Sequence, residues 1–113
     1  MTQSSPPPTA AEFHVLVALA DGEKHGYAIG KEIAVRTDGQ VQLRAATLYT
    51  VIKRLLDNGY IDEKTTRPDP ALDDERRRYY RLTARGRKAA EGEALRLEAT
   101  AKQARAKLGL RKA

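Results

Sequence analysis

Apolar residues recur with the period of an α-helix early in the chain and predict a first helix over residues 10–20. Its apolar stripe consists of Phe13, Leu16, Val17 and Ala20. Thr9 and Glu12 have the spacing of a capping box, which satisfies free N–H groups at a helix start. Val15 and Leu19 lie off the stripe, so this helix is either central in the fold or shared with a second subunit. We expect these two residues to contact a second subunit.

The same period predicts a second helix over residues 25–37 and a third over residues 45–57. At 100° per residue, the core side of the third helix consists of Leu48, Val51, Ile52 and Leu55. The residues that point away from the core are Ala46, Thr47, Thr50, Lys53 and Arg54, with Tyr49 on the boundary. Gly26 and Gly30 in the second helix lack the spacing of a phosphate-binding loop, which favours close helix packing as their role.

Beyond the third helix the apolar period falls to two, which indicates a β-hairpin. Residues 60–65 form the first predicted strand, with Ile61 facing inward. Residues 77–82 form the returning strand, with Tyr80 and Leu82 inward. An Arg-Pro-Asp-Pro sequence cannot continue a strand and predicts the loop between them.

A long helix is predicted to follow the hairpin, from an N-cap at Thr83 to Leu108, over a length of about 39 Å at 1.5 Å per residue. Small and apolar residues four and three apart form a heptad seam along it. The seam consists of Ala90, Ala94, Leu97, Ala101, Ala104 and Leu108. The helix either folds back over its own domain or pairs with a second subunit. We favour pairing, together with the first helix, because an alanine-rich seam buries little area alone.

The composition suits one small globular domain, with 113 residues of which 32% are charged and 41% hydrophobic. No apolar run approaches the roughly 20 residues that span a bilayer, and the N-terminus lacks the pattern of a secretory signal. The absence of cysteine excludes disulfides and fits a reducing compartment. We therefore expect a cytoplasmic protein with a flexible tail over residues 1–8, a domain over residues 9–82 and a terminal dimerisation helix over residues 83–110.

Positive charge begins at the third helix. Residues 1–43 hold three basic and five acidic groups, residues 44–88 twelve basic and seven acidic, and residues 89–113 six basic and three acidic. Clustered Lys and Arg indicate a polyanion partner, because neutralised phosphates release counterions. Charge alone fits equally well a basic protein without a nucleic-acid role.

This order of elements predicts a mainly α winged helix-turn-helix: three helices, a two-stranded hairpin as the wing, and a long C-terminal helix. In that architecture the third helix enters the major groove of DNA and the wing meets the flanking backbone. Arg44, just before the third helix, can pair with guanine, and Ala46 and Thr47 can contact a thymine methyl group. Lys53 suits a phosphate. Tyr49 suits a phosphate hydrogen bond or packing against the hairpin.

The hairpin tip is acidic, since residues 66–75 hold one arginine and four acidic groups. We expect the tip to stay clear of DNA, because phosphates repel carboxylates. The wing contacts are instead assigned to Lys64, Arg76, Arg77 and Arg78. Alternatively, the acidic groups pair with those arginines and hold them in place.

Three segments occur in a characteristic order: HGYAIGKEI at 25–33, TLYTVIKRLLDNGYI at 47–61 and RRRYYRLTARGRKAA at 76–90. Together they resemble the PadR family of bacterial transcriptional regulators over residues 13–90, and the single long last helix is similar to the family's smaller subgroup. The resemblance implies a homodimeric repressor of double-stranded DNA that recognises an inverted-repeat operator. In some members a small, often aromatic, effector releases the DNA.

By the same resemblance, the residues that face DNA are Thr47, Tyr49, Thr50, Lys53 and Arg54. This chain departs from the family pattern at Arg44-Ala45-Ala46, where the family usually has Ser-Pro-Gly or similar before TLY. We expect the protein's own base preference to depend on these three residues.

An enzyme is not expected, and neither a cofactor nor a metal is predicted. His14 and His25, the only histidines, lack the spacing of metal ligands, which favours structural roles for both. Asp73, Asp74 and Glu75 lie in a charged loop without a nucleophile. The remaining alternative is a winged-helix module that binds a protein or RNA. The polar, cationic outer side of the third helix favours duplex DNA over that alternative.

Overall fold

The computed structural model describes residues 6–65 and 78–110, which form a mainly helical fold with a small sheet. The elements are α1 (Ala10–Ala18), β1 (Lys24–His25), α2 (Gly26–Arg36), α3 (Ala45–Asp57), β2 (Ile61–Thr65), β3 (Arg78–Leu82) and α4 (Ala84–Leu108). The strands of this described part are antiparallel in the order β1–β3–β2. The predicted fold class, three helices with a hairpin wing and a long last helix, is confirmed.

Local signals in the sequence set the helix starts. The Thr9 hydroxyl accepts from the Glu12 backbone N–H at 3.1 Å, and the Glu12 carboxylate accepts from the Thr9 N–H at 2.8 Å. This is the predicted capping box. The Thr83 hydroxyl caps α4 by accepting from the Gly86 N–H at 3.0 Å. The bounds of α3 are those predicted from its periodicity, whereas α1 ends at Ala18, two residues early.

The core is formed where α1, α2 and α3 meet the inner face of the sheet. Its buried hydrophobic residues are Val15, Leu16, Ala18, Leu19, Ile29, Ile33, Leu48, Val51, Ile52, Leu55, Tyr60, Ile61 and Tyr80. All four residues predicted for the core side of α3 are among them. The inward orientation predicted for Ile61 and Tyr80 is confirmed as well.

The orientation predicted for α1 is wrong. Val15 and Leu19, which the sequence assigned to a second subunit, are 0% and 2% exposed in the chain's own core. They leave no surface for a partner because α1 is the central helix, packed on α2, α3 and α4. Phe13 and Val17 are only partly buried and Ala20 is exposed, so Leu16 alone of the predicted stripe is buried.

Two glycines mark places where elements approach closely. A Cβ on Gly26 would overlap the Tyr49 hydroxyl and would lie 2.7 Å from its Cζ. A Cβ on Gly86 would overlap the backbone carbonyl oxygen of Tyr60. Gly26 therefore lets α3 pack against the start of α2, as its predicted packing role requires, and Gly86 lets α4 lie on the turn before the wing.

Strand β1 was not predicted. It pairs with β3, with Lys24 opposite Tyr80 and His25 opposite Tyr79, and thereby attaches the start of α2 to the wing. Two residues are too few to display a period of two, so no local pattern could have indicated this strand.

Helix α4 extends beyond the domain. Gly86 and Glu93 are buried in its first part, but every described residue from Leu95 onward is exposed or half-buried. Leu97 and Leu108 of the heptad seam are 40% and 70% exposed. The helix therefore does not fold back over the described domain. None of the described helices is long and apolar enough to cross a bilayer.

Candidate nucleic-acid interface

The outer side of α3 is a polar surface whose orientation is set by the helix's buried side. Ala46, Thr47, Thr50, Lys53 and Arg54 are all exposed, as predicted. Arg44 is exposed just before the helix. Because four apolar residues lock the rotation of α3, these side chains project outward together.

Thr50 has a restricted hydrogen-bonding role on this surface. Its hydroxyl donates to the Ala46 carbonyl oxygen, one turn earlier, at 2.9 Å. The hydroxyl proton is therefore used inside the helix. Toward a ligand, Thr50 presents its methyl group and an oxygen that can accept a hydrogen bond.

The first turn of α3 has no side-chain cap. Arg44 occupies the N-cap position with extended backbone and without a side-chain hydrogen bond to the helix, and no acidic residue lies in the first turn. The other helices of the described part, α1, α2 and α4, begin with a side-chain cap from Thr9, His25 and Thr83. An uncapped helix start leaves N–H groups for solvent or an anion, and Arg44 adds a full positive charge there.

Tyr49 is half-buried against α2. Its ring lies where Gly26 has no side chain, at the start of α2. This ring therefore packs against the start of α2.

A groove of about 380 Å³ separates α2 from the start of α3. Tyr27 and Lys31 of α2 form one wall, and Ala45 and Tyr49 of α3 form the other. Tyr27 is 59% exposed, and Lys31 is exposed one turn further along. Tyr27 and Lys31, which line this groove beside α3, were not among the candidate residues predicted from the sequence. Their i, i+4 spacing on the polar side of the helix before α3 is the signal that could have found them.

Two of the cationic residues predicted for the wing contacts, Lys64 and Arg78, point in different directions. Lys64 is opposite Tyr79 in the β2–β3 pair, whereas Arg78 is opposite Thr65. Side chains alternate between the faces of a strand, so Lys64 and Arg78 project from opposite faces of the hairpin. Arg76, Arg77 and the acidic tip at 66–75 lie outside the described residues.

His25 connects the wing to α2. Its Nδ1 accepts a hydrogen bond from the Ala28 N–H at 3.1 Å and so caps α2. Its ring meets the Tyr79 ring edge to face, with 5.6 Å between centroids. This structural role agrees with the role expected for His25.

His14 also has structural contacts. Its Nδ1 lies 3.4 Å from a guanidinium nitrogen of Arg36. Partial burial, and then the charge of Arg36, lower the pKa of His14 below its ordinary value. Within residues 6–65 and 78–110, no three His, Cys, Asp or Glu side chains are grouped in a way that could hold a metal ion.

A second, apolar surface lies on the seam side of α4. Phe13, Val17 and Ala20 of α1 line a groove of about 170 Å³ with Ala90 and Ala94 of α4. The predicted seam begins in this groove and continues along the part of α4 that extends from the domain. The remaining seam residues are Leu97, Ala101, Ala104 and Leu108.

Comparisons with known proteins agree with this architecture. A family model described as the transcriptional regulator PadR-like family matches residues 15–92. A transcriptional regulator from Clostridium thermocellum has 33% sequence identity and a TM-score of 0.69, over 81% of this chain and 84% of that one. Bacillus subtilis PadR in complex with operator DNA has 24% identity and a TM-score of 0.65, over 74% of this chain and 46% of that one.

An uncharacterized protein from Lysinibacillus sphaericus is 33% identical over 73 residues, which are 65% of this chain. The match spans 64% of that relative, just under two thirds of its length. The structural matches share the winged-helix arrangement described above.

Proposed function

The chain belongs to the PadR-like family of transcriptional regulators, and we propose that it is a cytoplasmic, sequence-specific repressor that binds double-stranded DNA as a homodimer. The observation that carries this proposal is the geometry of α3. Its apolar side is buried, its first turn is uncapped, and its outer side is polar and cationic. The same fold in Bacillus subtilis PadR, a structure in complex with operator DNA, supports a DNA partner.

In the proposed complex, α3 enters the major groove with its first turn foremost. Arg44 reads guanine through its O6 and N7 atoms, and Ala46 and Thr47 contact a thymine methyl group. Thr50 accepts a hydrogen bond from an exocyclic amino group, because its own proton is already donated to Ala46. Lys53 binds a phosphate.

The backbone contacts flank α3 on both sides. Tyr27 and Lys31 meet the phosphates on the α2 side, because the helix before the recognition helix crosses the backbone in this architecture. On the other side, Lys64 and the arginines at the base of the wing meet the flanking strand. Since Lys64 and Arg78 project from opposite faces of the hairpin, we assign them to different phosphates.

The dimer is proposed to form along the apolar surface of α1 and α4. Phe13, Val17 and Ala20 replace Val15 and Leu19 as the α1 contribution, because the latter pair is buried in the core. Beyond the domain, the seam offers Leu97 and Leu108, both exposed. Two such subunits recognise an inverted repeat whose half-sites lie about 10–10.5 base pairs apart. By family resemblance, we expect a small aromatic effector to act at this seam and to release the DNA.

Selection of bound sequences from random duplex DNA tests this function. The expected result is enrichment of an inverted repeat, with binding that weakens steeply as salt is added. Replacement of Arg44 by alanine should relax the preference at one position of each half-site. A selection without enrichment, combined with duplex affinity that is insensitive to salt, would favour a module that binds a protein or RNA.

A further inference from the structure

Glu12 links the start of α1 to the recognition helix. Its Oε1 accepts from the Thr9 N–H at 2.8 Å and so completes the capping box. Its Oε2 lies 3.4 Å from the Nε of Arg54, a residue 42 positions away in the sequence. The Glu12 side chain is 14% exposed and the Arg54 side chain 54% exposed. A largely buried carboxylate, held by its own cap, therefore pairs with a more exposed arginine.

The pairing restricts what Arg54 can reach. Along α3, Arg54 lies on the side that faces α1, 100° around the helix from Lys53. The Glu12 carboxylate cannot follow the guanidinium outward without giving up the capping bond to Thr9. Glu12 faces the Nε of Arg54, and a phosphate that draws the guanidinium away from α1 separates this pair. The lost pairing cancels part of the gain from a surface contact.

We propose that Glu12 is a positioning residue that makes the Arg54–phosphate contact conditional on correct docking at the operator. This inference rests on the DNA-binding function proposed above. On the operator, base contacts hold α3 in one position and keep a phosphate within reach of Arg54, so the pair separates. On other sequences the docking varies, no phosphate is held at Arg54, and the arginine stays with Glu12. The ion pair thereby withholds one cation from sequence-independent binding.

The salt dependence of binding separates the two situations, because each neutralised phosphate adds about 0.9 to the slope of log affinity against log salt. One such contact is worth about five-fold in affinity at about 0.15 M salt. Arg54→Gln should therefore lower the operator slope by about 0.9 and the operator affinity about five-fold. The same substitution should leave slope and affinity on random-sequence duplex unchanged.

Glu12→Gln gives the complementary test. Glutamine also serves at this position of a capping box, so the helix start is kept while the charge that holds Arg54 is removed. The slope on random-sequence duplex should become steeper by about 0.9, and affinity should rise about five-fold. In the double variant Glu12→Gln/Arg54→Gln this gain should disappear. Glu98→Gln, the same charge change at an exposed site on α4, is the matched control and should not alter the slope on random-sequence duplex.

The measurements are titrations of the full chain with a fluorescent selected operator and a fluorescent random-sequence duplex, over a series of salt concentrations. Equal changes in the salt slope on both duplexes in Arg54→Gln would overturn the inference. Because Arg54→Gln leaves the capping box of α1 unchanged, this result would not depend on how well α1 folds. A gain in Glu12→Gln that persists without Arg54 would overturn it as well. A wild-type chain that binds neither duplex refutes the proposed function itself, so the two failures are distinguishable.

Discussion

Gly86 and Gly92 lie in the same helix, but the structure predicts opposite effects when each is replaced by alanine. A Cβ on Gly86 would overlap the carbonyl oxygen of Tyr60 and would lie 3.0 Å from the Leu82 Cδ1. A Cβ on Gly92 meets nothing within 4 Å. The atom in the way at Gly86 belongs to the backbone of the turn before the wing, so it cannot rotate aside as a side chain could.

The magnitudes follow from this difference. Alanine is favoured over glycine inside a helix by about 0.8–1.0 kcal/mol, and Gly92→Ala should stabilise the chain by that amount. Gly86→Ala gains no more than this, but it forces α4 away from the turn at a typical cost of about 1–3 kcal/mol. The displacement also strains the hydrogen bond from the Thr83 N–H to the Tyr60 carbonyl, now 3.1 Å long. Loss of that bond adds about 0.5–1.5 kcal/mol. The two variants should therefore differ by about 1.5–4.5 kcal/mol.

Urea unfolding of both variants at one protein concentration measures this difference directly. In thermal unfolding, the Gly86→Ala midpoint should lie at least about 6 °C below that of Gly92→Ala, at roughly 4 °C per kcal/mol. Equal concentrations matter because association of subunits would add to the apparent stability. If the two variants unfold together, α4 does not rest on the Tyr60 carbonyl and the description of this junction is incorrect.

Three further outcomes are expected. Lys53→Ala should weaken binding to the selected operator and lower its salt slope by about 0.9, whereas Lys102→Ala on α4 should leave both unchanged in the same titration. Burial and the neighbouring Arg36 guanidinium lower the pKa of His14 in the folded protein. The stability that neutral His14 contributes is therefore fully present above its unfolded pKa of about 6.5, and it is lost as pH falls through the lower pKa of the folded protein. His14→Gln should therefore lose less stability than the wild type between about pH 7.5 and 5.5 in urea unfolding, and an equal loss in both would contradict the assignment. Leu97→Lys should convert a dimer into a monomer, as measured by sedimentation at micromolar concentration. Leu95→Lys is the control and should leave the dimer intact, because Leu95 lies on the opposite side of α4 and is 66% exposed. A monomeric wild type would refute the dimer.

Much of the fold follows from short-range patterns. The core side of α3 and the bounds of that helix are encoded in one apolar period, and the capping box at Thr9 and Glu12 is encoded in four consecutive residues. The outward orientation of Lys53 follows from the same period, because a helix with one side buried has no freedom to rotate. These features depend on interactions within a few residues, and such interactions can be read along a sequence.

Other features depend on pairs that are distant in the sequence. The period of α1 does not reveal that Val15 and Leu19 are buried in the chain's own core, because an apolar helix fits several orientations equally well. Strand β1 exists because β3 lies beside it, 56 positions later at the Lys24–Tyr80 pair. The contact between Gly26 and Tyr49, and the groove lined by Tyr27 and Lys31, likewise appear only when two helices are brought together.

The sequence by itself determined the helix-hairpin-helix order, the outer side of α3 and the seam along α4, because local periodicity and capping specify each of them. The tertiary structure alone decided which side of α1 is buried, how α2 is attached to the wing, and which carboxylate meets Arg54. The pair between Arg54 and Glu12 illustrates the reason. Each residue has a clear local setting, one on a recognition helix and one in a cap, but their 3.4 Å separation exists only because α1 packs across α3.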